Sequence, residues 1–213
     1  MSLIEAAAPS ADAPLPEDAL LLPPAILERL DWAAVFGNAR PVEVELGAGD
    51  GSFLLDWAAA HPERNFLGVE RLLGRVRKID RKGRRRGLTN LRGLRLEAAY
   101  VLERMVPPGT AAALHVYFPD PWPKNRHHKR RLVNARFVEL AHRTLVPDGV
   151  AHLRTDDVPY FALMEEVFGG SPLFRRDATP PDLAGCVTDF ERGFNARGIP
   201  TLRASWRRME PPS

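Results

Sequence analysis

Residues 42–62 read VEVELGAGDGSFLLDWAAAHP, and this stretch decides the fold. A short β-favouring run, VEVEL, ends in the glycine-rich turn GAGDG. A helix with one apolar face, closed by a proline, follows the turn: Phe53, Leu54, Trp57, Ala58 and Pro62. The stretch therefore predicts a strand, a tight turn and a helix in succession.

The same order of elements repeats along the chain. Further strands are predicted in NFLGVE, NLRGLRLEAAYVL, ALHVYF and PDGVAHLRTDD, and helices in the basic segment after NFLGVE, in NARFVELAHRTL and in PYFALMEEVF. Such alternation gives right-handed crossovers and an α/β fold, a mostly parallel sheet with helices on both faces. LFRRDA and IPTLRASWRR are expected to add an antiparallel edge. We expect one domain over residues 32–213 and an acidic, partly flexible arm over 1–31.

Charge is distributed unevenly along the 213 residues, although the net charge is only +3. Residues 1–31 contain six acids and one base, whereas residues 71–95 contain eleven Lys and Arg and one acid. Such a basic segment either faces a polyanionic partner or is simply a solvated helix face.

Cysteine usage and hydropathy narrow the class of protein. Cys186 is the single cysteine, which excludes an intrachain disulfide and favours a reducing cytoplasm. Apolar stretches fall short of the roughly 18 residues that a membrane span needs, and the N-terminus lacks signal-peptide features. No His and Cys spacing indicates a zinc site. We expect no membrane and no metal, and a monomer or homodimer.

The glycine-rich turn points to a ligand with a positive charge. Glycines at 47, 49 and 51 let a ligand approach the backbone, but Ser52 stands where a dinucleotide fingerprint has Gly or Ala. Glu45 would repel a pyrophosphate and would accept a cationic amine. The pattern resembles the S-adenosylmethionine loop of class I methyltransferases; a purely structural turn is the alternative.

Acidic residues end the next strands, where open α/β sheets bind ligands. Glu70 is positioned to accept both hydroxyls of a ribose, and Glu97 the amino group of an adenine; an exposed strand-end acid is the alternative for each. Asp120 lies between two prolines that fix its backbone, which suits either an aimed carboxylate or a chain reversal. Asp156 follows the fifth strand and would lie beside Asp120 if the two strands are neighbours.

The motifs ELGAGDG, FPDPWPKNRHHKRRLV, RTD and TDFERG follow one another in this order. Over residues 44–191 the chain therefore resembles the tRNA (guanine-N7-)-methyltransferase family. The resemblance implies a class I methyltransferase (Rossmann-like) fold and methyl transfer from S-adenosylmethionine to guanine N7 in the tRNA variable loop without a metal. It implies cofactor contacts from Glu45, Gly47, Gly49, Gly51, Glu70, Glu97 and Asp120. Implied substrate contacts are Lys124, Arg126, His127, His128, Lys129, Arg130, Arg131, Asp156, Thr188, Asp189, Phe190 and Glu191.

Three positions depart from the usual family pattern. Glu97 replaces an aspartate, Asp189 replaces a lysine near the expected guanine pocket, and Pro123 replaces a histidine. Asp120 and Asp156 are the candidate catalytic residues. Our hypothesis is that Asp156, Glu191 and also Asp120 accept hydrogen bonds from N1 and N2 of guanine, so that N7 faces the methyl group.

Three other functions are compatible with parts of this pattern. A methyltransferase acting on another RNA base would use the same motifs. A non-catalytic basic RNA-binding module would need only the positive charge. Ser52 and Glu45 disfavour a nicotinamide oxidoreductase.

Overall fold

The computed structural model describes residues 19–23 and 25–210, so the first 18 residues of the predicted flexible arm lie outside it. One sheet of eight strands forms the centre of the molecule. The strands are β1 (Leu20–Leu21), β2 (Val42–Leu46), β3 (Asn65–Glu70), β4 (Leu91–Arg95), β5 (Ala111–Tyr117), β6 (Leu145–Thr155), β7 (Phe174–Asp177) and β8 (Leu202–Arg208).

The sheet has the order β1-β4-β3-β2-β5-β6-β8-β7. All neighbours from β1 to β6 are parallel, whereas β8 pairs antiparallel with β6 and β7. The predicted parallel strands and the antiparallel edge are confirmed. The strand order reverses between β2 and β5, and a crevice for a ligand forms at such a point.

Eight α-helices connect the strands in the described part of the chain: α1 (Trp32–Phe36), α2 (Ser52–Ala60), α3 (Leu73–Arg85), α4 (Ala98–Tyr100), α5 (Ala135–Thr144), α6 (Val158–Gly169), α7 (Pro181–Gly185) and α8 (Asp189–Asn195). A π-helical turn, Val101–Met105, continues α4, and a 3-10 helix, Asn125–Arg130, follows β5. Within residues 19–23 and 25–210, no helix is long and apolar enough to span a membrane.

Alternating side chains of the strands build a core on each face of the sheet. Val44 and Leu46 of β2 pack in one cluster with the π-helical turn, α5 and α6, including Phe137 and Tyr160. On the other face, Phe66 of β3 packs with apolar residues of α2 and α3. Successive residues of a strand point to opposite faces, so helices are needed on both sides of a sheet whose central strands are buried throughout.

Residues 19–31, which the sequence assigned to the arm, are attached to the domain. The Ala19 backbone N–H donates to Oδ1 of Asp80 at 2.8 Å, and the Ala19 carbonyl accepts from Gly93 at 2.6 Å. The Leu30 N–H donates to the carbonyl of Met105 at 2.8 Å. A two-residue strand carries no hydrophobic period, so it gives no strand signal in the sequence.

Candidate active site

The glycine-rich turn between β2 and α2 has the backbone that the sequence predicts. Gly47, Gly49 and Gly51 have φ of 83°, 55° and 81°, a region that side chains disfavour. Gly47 and Ala48 donate their N–H groups to the Val69 carbonyl at 2.8 and 2.9 Å, which fixes the turn to β3. Among the described residues, apart from those adjoining in the chain, no atom lies within 4 Å of the place that a Cβ of Gly47 or Gly49 would occupy. A ligand therefore has room against this backbone.

Glu45 is buried at the end of β2, directly before the turn. Only 4% of its surface is exposed, and its Oε2 atom has no hydrogen-bond partner among the described residues. Burial, the largest cause, together with the charges of Asp50 and Glu70 outweighs the Arg154 guanidinium and raises the pKa of Glu45 to about 8. An unpaired buried acceptor is costly, so this oxygen is suited to a cationic donor from a ligand.

A cavity of about 450 Å³ opens at the carboxyl ends of the strands, and Glu70, Glu97 and Asp120 all line it. Gly47 lines it too, so the structure brings together four of the predicted cofactor residues. Glu70 is buried and accepts hydrogen bonds from the N–H groups of Gly49 at 3.1 Å and Leu72 at 2.8 Å. The loop backbone holds its carboxylate at the cavity wall.

Glu97 has a second task as the N-cap of α4. Its two carboxylate oxygens accept from the N–H groups of Ala99 at 3.0 Å and Tyr100 at 2.8 Å. Capping by a carboxylate satisfies helix-terminal donors and suits the positive end of the helix dipole. The same contacts orient the carboxylate beside the cavity.

Asp120 lies in a loop with an uncommon backbone. Phe118 and Trp122, on either side of the Pro-Asp-Pro sequence, have φ of 50° and 45°, in the left-handed region. Such conformations cost of order 1–3 kcal/mol each and persist where neighbouring contacts impose them. The Phe118 N–H donates to the Arg154 carbonyl at 2.8 Å. In the described part of the chain, the exposed Asp120 carboxylate forms no hydrogen bond or ion pair.

Asp156 lies at the neighbouring strand end, as the sequence predicted. Strands β5 and β6 are parallel, with Tyr117 opposite Arg154, and Asp156 follows two residues later. The half-buried Asp156 carboxylate also has no hydrogen bond or ion pair to the residues the structure describes. The next residue, Asp157, caps α6 by accepting from the Tyr160 N–H at 2.7 Å. Asp120 and Asp156 thus follow the ends of two neighbouring strands.

Glu191 does not reach the surface of this site. It is 0% exposed, and its carboxylate accepts from Arg154 at 3.0 Å and from Arg203. Thr188, also buried, forms a capping box with Glu191 at the start of α8. The expected hydrogen bond from guanine to Glu191 is therefore wrong for this conformation. The physical reason is that both oxygens are used inside the protein.

Arg154 is the functional residue that the sequence analysis missed. Its side chain is 1% exposed and donates to the Cys186 carbonyl at 2.8 Å and to the Leu183 carbonyl, in addition to Glu191. Its guanidinium also lies 4.3 Å from the centre of the Tyr117 ring. It thus joins the end of β6 to α7 and α8. Two signals were available: Arg154 belongs to the RTD motif, and it is a charged residue at an inward position of an apolar strand.

Phe190 and Asp189 are exposed at the start of α8. Phe190 is 55% exposed, and its ring centre lies 5.2 Å from that of Phe118 and 4.6 Å from that of Phe194. Asp189 forms an ion pair with Arg192, so the negative charge that replaces the usual family lysine has a local counter-charge. The three phenylalanines present an aromatic surface near the Asp120 loop.

The basic run after Trp122 divides into an outer and an inner part. Lys124, Arg126, Lys129 and Arg130 are exposed, and His127 and His128 are half-buried. The Arg130 guanidinium lies 5.0 Å from the Trp122 ring centre. These residues form a positive surface, and Arg130 also lines the cavity of Glu70 and Glu97.

Arg131, predicted to contact RNA, is only 5% exposed. Its Nε donates to the Pro121 carbonyl at 2.7 Å, and its guanidinium lies 4.8 Å from the centre of the Tyr160 ring. The expected RNA contact is therefore wrong for this residue. Arg131 instead holds the Asp120 loop against α6.

Metal ligands do not accompany these groups: in the described ranges, no cluster of three or more His, Cys, Asp and Glu could hold an ion.

Three comparisons place the chain among known proteins. A family described as "Putative methyltransferase" matches residues 39–204. A tRNA (guanine-N(7)-)-methyltransferase of Sodalis glossinidius is 42% identical over 168 residues, which are 76% of this chain and 70% of that protein. One from Bordetella pertussis is 44% identical over 182 residues, 84% of this chain and 70% of that protein.

Among solved structures, a variant of the 16S rRNA (adenine(1408)-N(1))-methyltransferase of Catenulisporales acidiphilia, with the cosubstrate SAM, superposes with a TM-score of 0.58. The sequences are 17% identical, and the match covers 86% of this chain and 94% of that chain. At this identity the likeness concerns the fold alone. It confirms the predicted α/β fold class.

Proposed function

Because the chain belongs to the tRNA (guanine-N(7)-)-methyltransferase family, we propose that it transfers a methyl group from S-adenosylmethionine to N7 of a guanosine in the variable loop of tRNA. One observation supports this most directly. At one edge of the sheet, beside a positive surface, the buried Oε2 of Glu45 and the carboxylates of Asp120 and Asp156 have no partner among the residues that the structure describes.

The residues that line the strand ends fit the chemical groups of S-adenosylmethionine. Glu45 and the open glycine turn suit the ammonium end, because a buried carboxylate needs a cationic donor. Glu70 suits the ribose hydroxyls and Glu97 the adenine amino group, since each carboxylate lines the same cavity. When bound, the cofactor supplies an electrophilic methyl group on a sulfonium.

Methylation of guanine N7 makes modest demands on acid–base chemistry. N7 carries an in-plane lone pair and no proton in the neutral base, so no strong general base is needed. One bond forms between N7 and the methyl carbon while the carbon–sulfur bond breaks, and the purine ring gains positive charge. The protein's contribution is therefore positioning and electrostatic stabilisation.

Asp120 and Asp156 are suited to both contributions. Guanine has N1–H and N2–H donors that adenine lacks, and carboxylates accept from them. Two acceptors held at adjacent strand ends would orient the base with N7 toward the methyl group and stabilise the positive charge on the ring. The exposed ring of Phe190 offers a surface on which a base can stack.

The positive surface of residues 124–130 suits the phosphates around the target nucleotide. Phosphate contacts set the register of a nucleic acid without reading its sequence. A base that is to be modified must leave its stacked position, so we expect the guanosine to be extruded toward Asp120 and Asp156.

The test is incubation with labelled S-adenosylmethionine and unmodified tRNA, followed by strand scission specific for 7-methylguanosine. Label at a single guanosine of the variable loop is expected. Label on another base, or none on tRNA while the protein binds S-adenosylmethionine, would contradict the proposal.

A further inference from the structure

Helix α3 carries a positive face that the proposed reaction does not use. Five basic residues lie within an arc of about 140° around the helix axis: Arg77, Lys78, Arg81, Lys82 and Arg85. On the opposite side Val76, Ile79 and Gly83 are buried against the sheet. The five cations therefore point outward together.

Acidic neighbours neutralise only the margins of this face. Lys82 pairs with Asp50 at 2.8 Å, and Arg86 pairs with Asp56 at 2.7 Å. Within residues 19–23 and 25–210, the side chains of Arg77, Lys78, Arg81 and Arg85 form neither a hydrogen bond nor an ion pair.

Helix stability does not account for these residues. Cations in the last turn interact favourably with the helix dipole, but Arg77 and Lys78 lie in the first half of α3. Arg77, Arg81 and Arg85 succeed one another at intervals of four residues, where like charges destabilise a helix by about 0.2–0.5 kcal/mol per pair. The positive face therefore destabilises α3 slightly rather than stabilising it.

Both ends of α3 adjoin the candidate site. Near its start, Arg71 and Arg75 line the cavity of Glu70 and Glu97, as does Arg130 of the basic run. About 15 Å along the helix axis from Arg75, Arg85 lines a groove of about 290 Å³ together with Asp189 of α8. Positive charge therefore lines the cavity and continues away from it along α3.

We propose that the outward face of α3 is a second docking surface for the phosphate backbone of the tRNA substrate, remote from the methylated guanosine. The inference rests on the proposed function. Arg77, Arg81 and Arg85 are spaced about 6 Å apart along the axis, a row suited to successive phosphates of one strand. Contacts of this kind orient the nucleic acid and carry no base specificity.

The test compares the salt dependence of tRNA binding by the wild type and by Arg77→Gln/Arg81→Gln. The control variant Arg104→Gln/Arg175→Gln loses the same charge from exposed positions outside this face. The slope of log K against log salt should fall by about 1.5 in the α3 variant, since each phosphate contact contributes roughly 0.7–0.9. It should stay unchanged in the control. KM for tRNA should rise in the α3 variant while kcat at saturating tRNA stays the same.

An α3 variant with the wild-type slope would overturn this inference. If the wild type methylates tRNA in that experiment, the proposed function survives. If the wild type neither binds nor methylates tRNA, the proposed function itself fails.

Discussion

The carboxylates after β3 and β4 are held differently from those after β5 and β6. On the first side, both carboxylates accept hydrogen bonds from backbone N–H groups: Glu70 from Gly49 of the glycine turn and from Leu72, and Glu97 from the first turn of α4. On the second, Asp120 and Asp156 have no hydrogen bond or ion pair to any residue the structure describes. The adjoining chain is fixed instead: Arg131 donates to the Pro121 carbonyl, and Arg154, two residues before Asp156, donates to the Cys186 carbonyl after α7.

On the side of Glu70 and Glu97, the same carboxylates are expected to serve both folding and binding. On the side of Asp120 and Asp156, different residues are expected to serve the two purposes. On the cofactor side the same oxygens hold the loops and face the cavity, so a substitution should affect both stability and affinity. On the substrate side the supporting groups are buried arginines, and the carboxylates themselves form no hydrogen bond or ion pair within the described residues. Substitution of a support should cost stability, and substitution of a carboxylate should cost turnover only.

The largest effect is expected at the buried support. Arg154→Met leaves the fully buried Glu191 carboxylate without one of its two arginine partners, and breaking a buried pair costs about 3–5 kcal/mol. Urea unfolding measures the loss. Arg176→Met is the matched control, because its pair with Glu165 is exposed and is worth about 0–1 kcal/mol. Equal losses in the two variants would mean that Arg154 does not support the substrate side.

Substitution of Asp120 or Asp156 should lower turnover and leave stability almost unchanged. Asp120→Ala and Asp156→Ala each remove a group with no described folding contact, so the unfolding free energy should change by less than about 0.5 kcal/mol. Turnover should fall by about 100-fold or more, as when one preorganised group is lost from an active site. Glu139→Gln, an exposed carboxylate on α5, serves as the control. Near-normal turnover of either variant would remove that residue from the site.

Sequence reasoning was successful where neighbouring residues decide the outcome. The glycine turn, the acids at strand ends and the proximity of Asp120 and Asp156 follow from local patterns and from parallel strand order. It failed where partners distant in sequence decide which charge is buried. Arg131 has the same chemistry as the arginine before it, and only Tyr160 of α6 makes it an interior residue. The burial of Glu191 likewise depends on Arg154, 37 positions away.

A pH-dependent effect is expected on the cofactor side at Glu45. Its pKa is raised from 4.5 to about 8, so between these values the unfolded chain is ionised and the folded chain holds a proton. The stability of the free protein should therefore fall as pH rises from about 4.5 to 8. A bound ammonium needs the ionised form, so cofactor affinity should increase up to about tenfold per pH unit below 8.

Proton release provides the direct measurement for Glu45. At pH 7, calorimetry of S-adenosylmethionine binding in two buffers of different ionisation enthalpy should give different heats, and Glu45→Gln should remove the difference. Identical heats for the wild type would show that Glu45 stays protonated or does not meet the ammonium.

The smallest effect is expected at Glu97 and decides whether folding and binding share atoms on the cofactor side. Glu97→Ala removes the N-cap of α4, a loss of about 1 kcal/mol, and should also weaken cofactor binding. Unfolding and binding are measured on the same variant, with Glu97→Asp, which keeps a capping oxygen, as the control. Retained stability with weakened binding would make Glu97 resemble Asp120, and the contrast between the two sides would then rest on Glu70 alone.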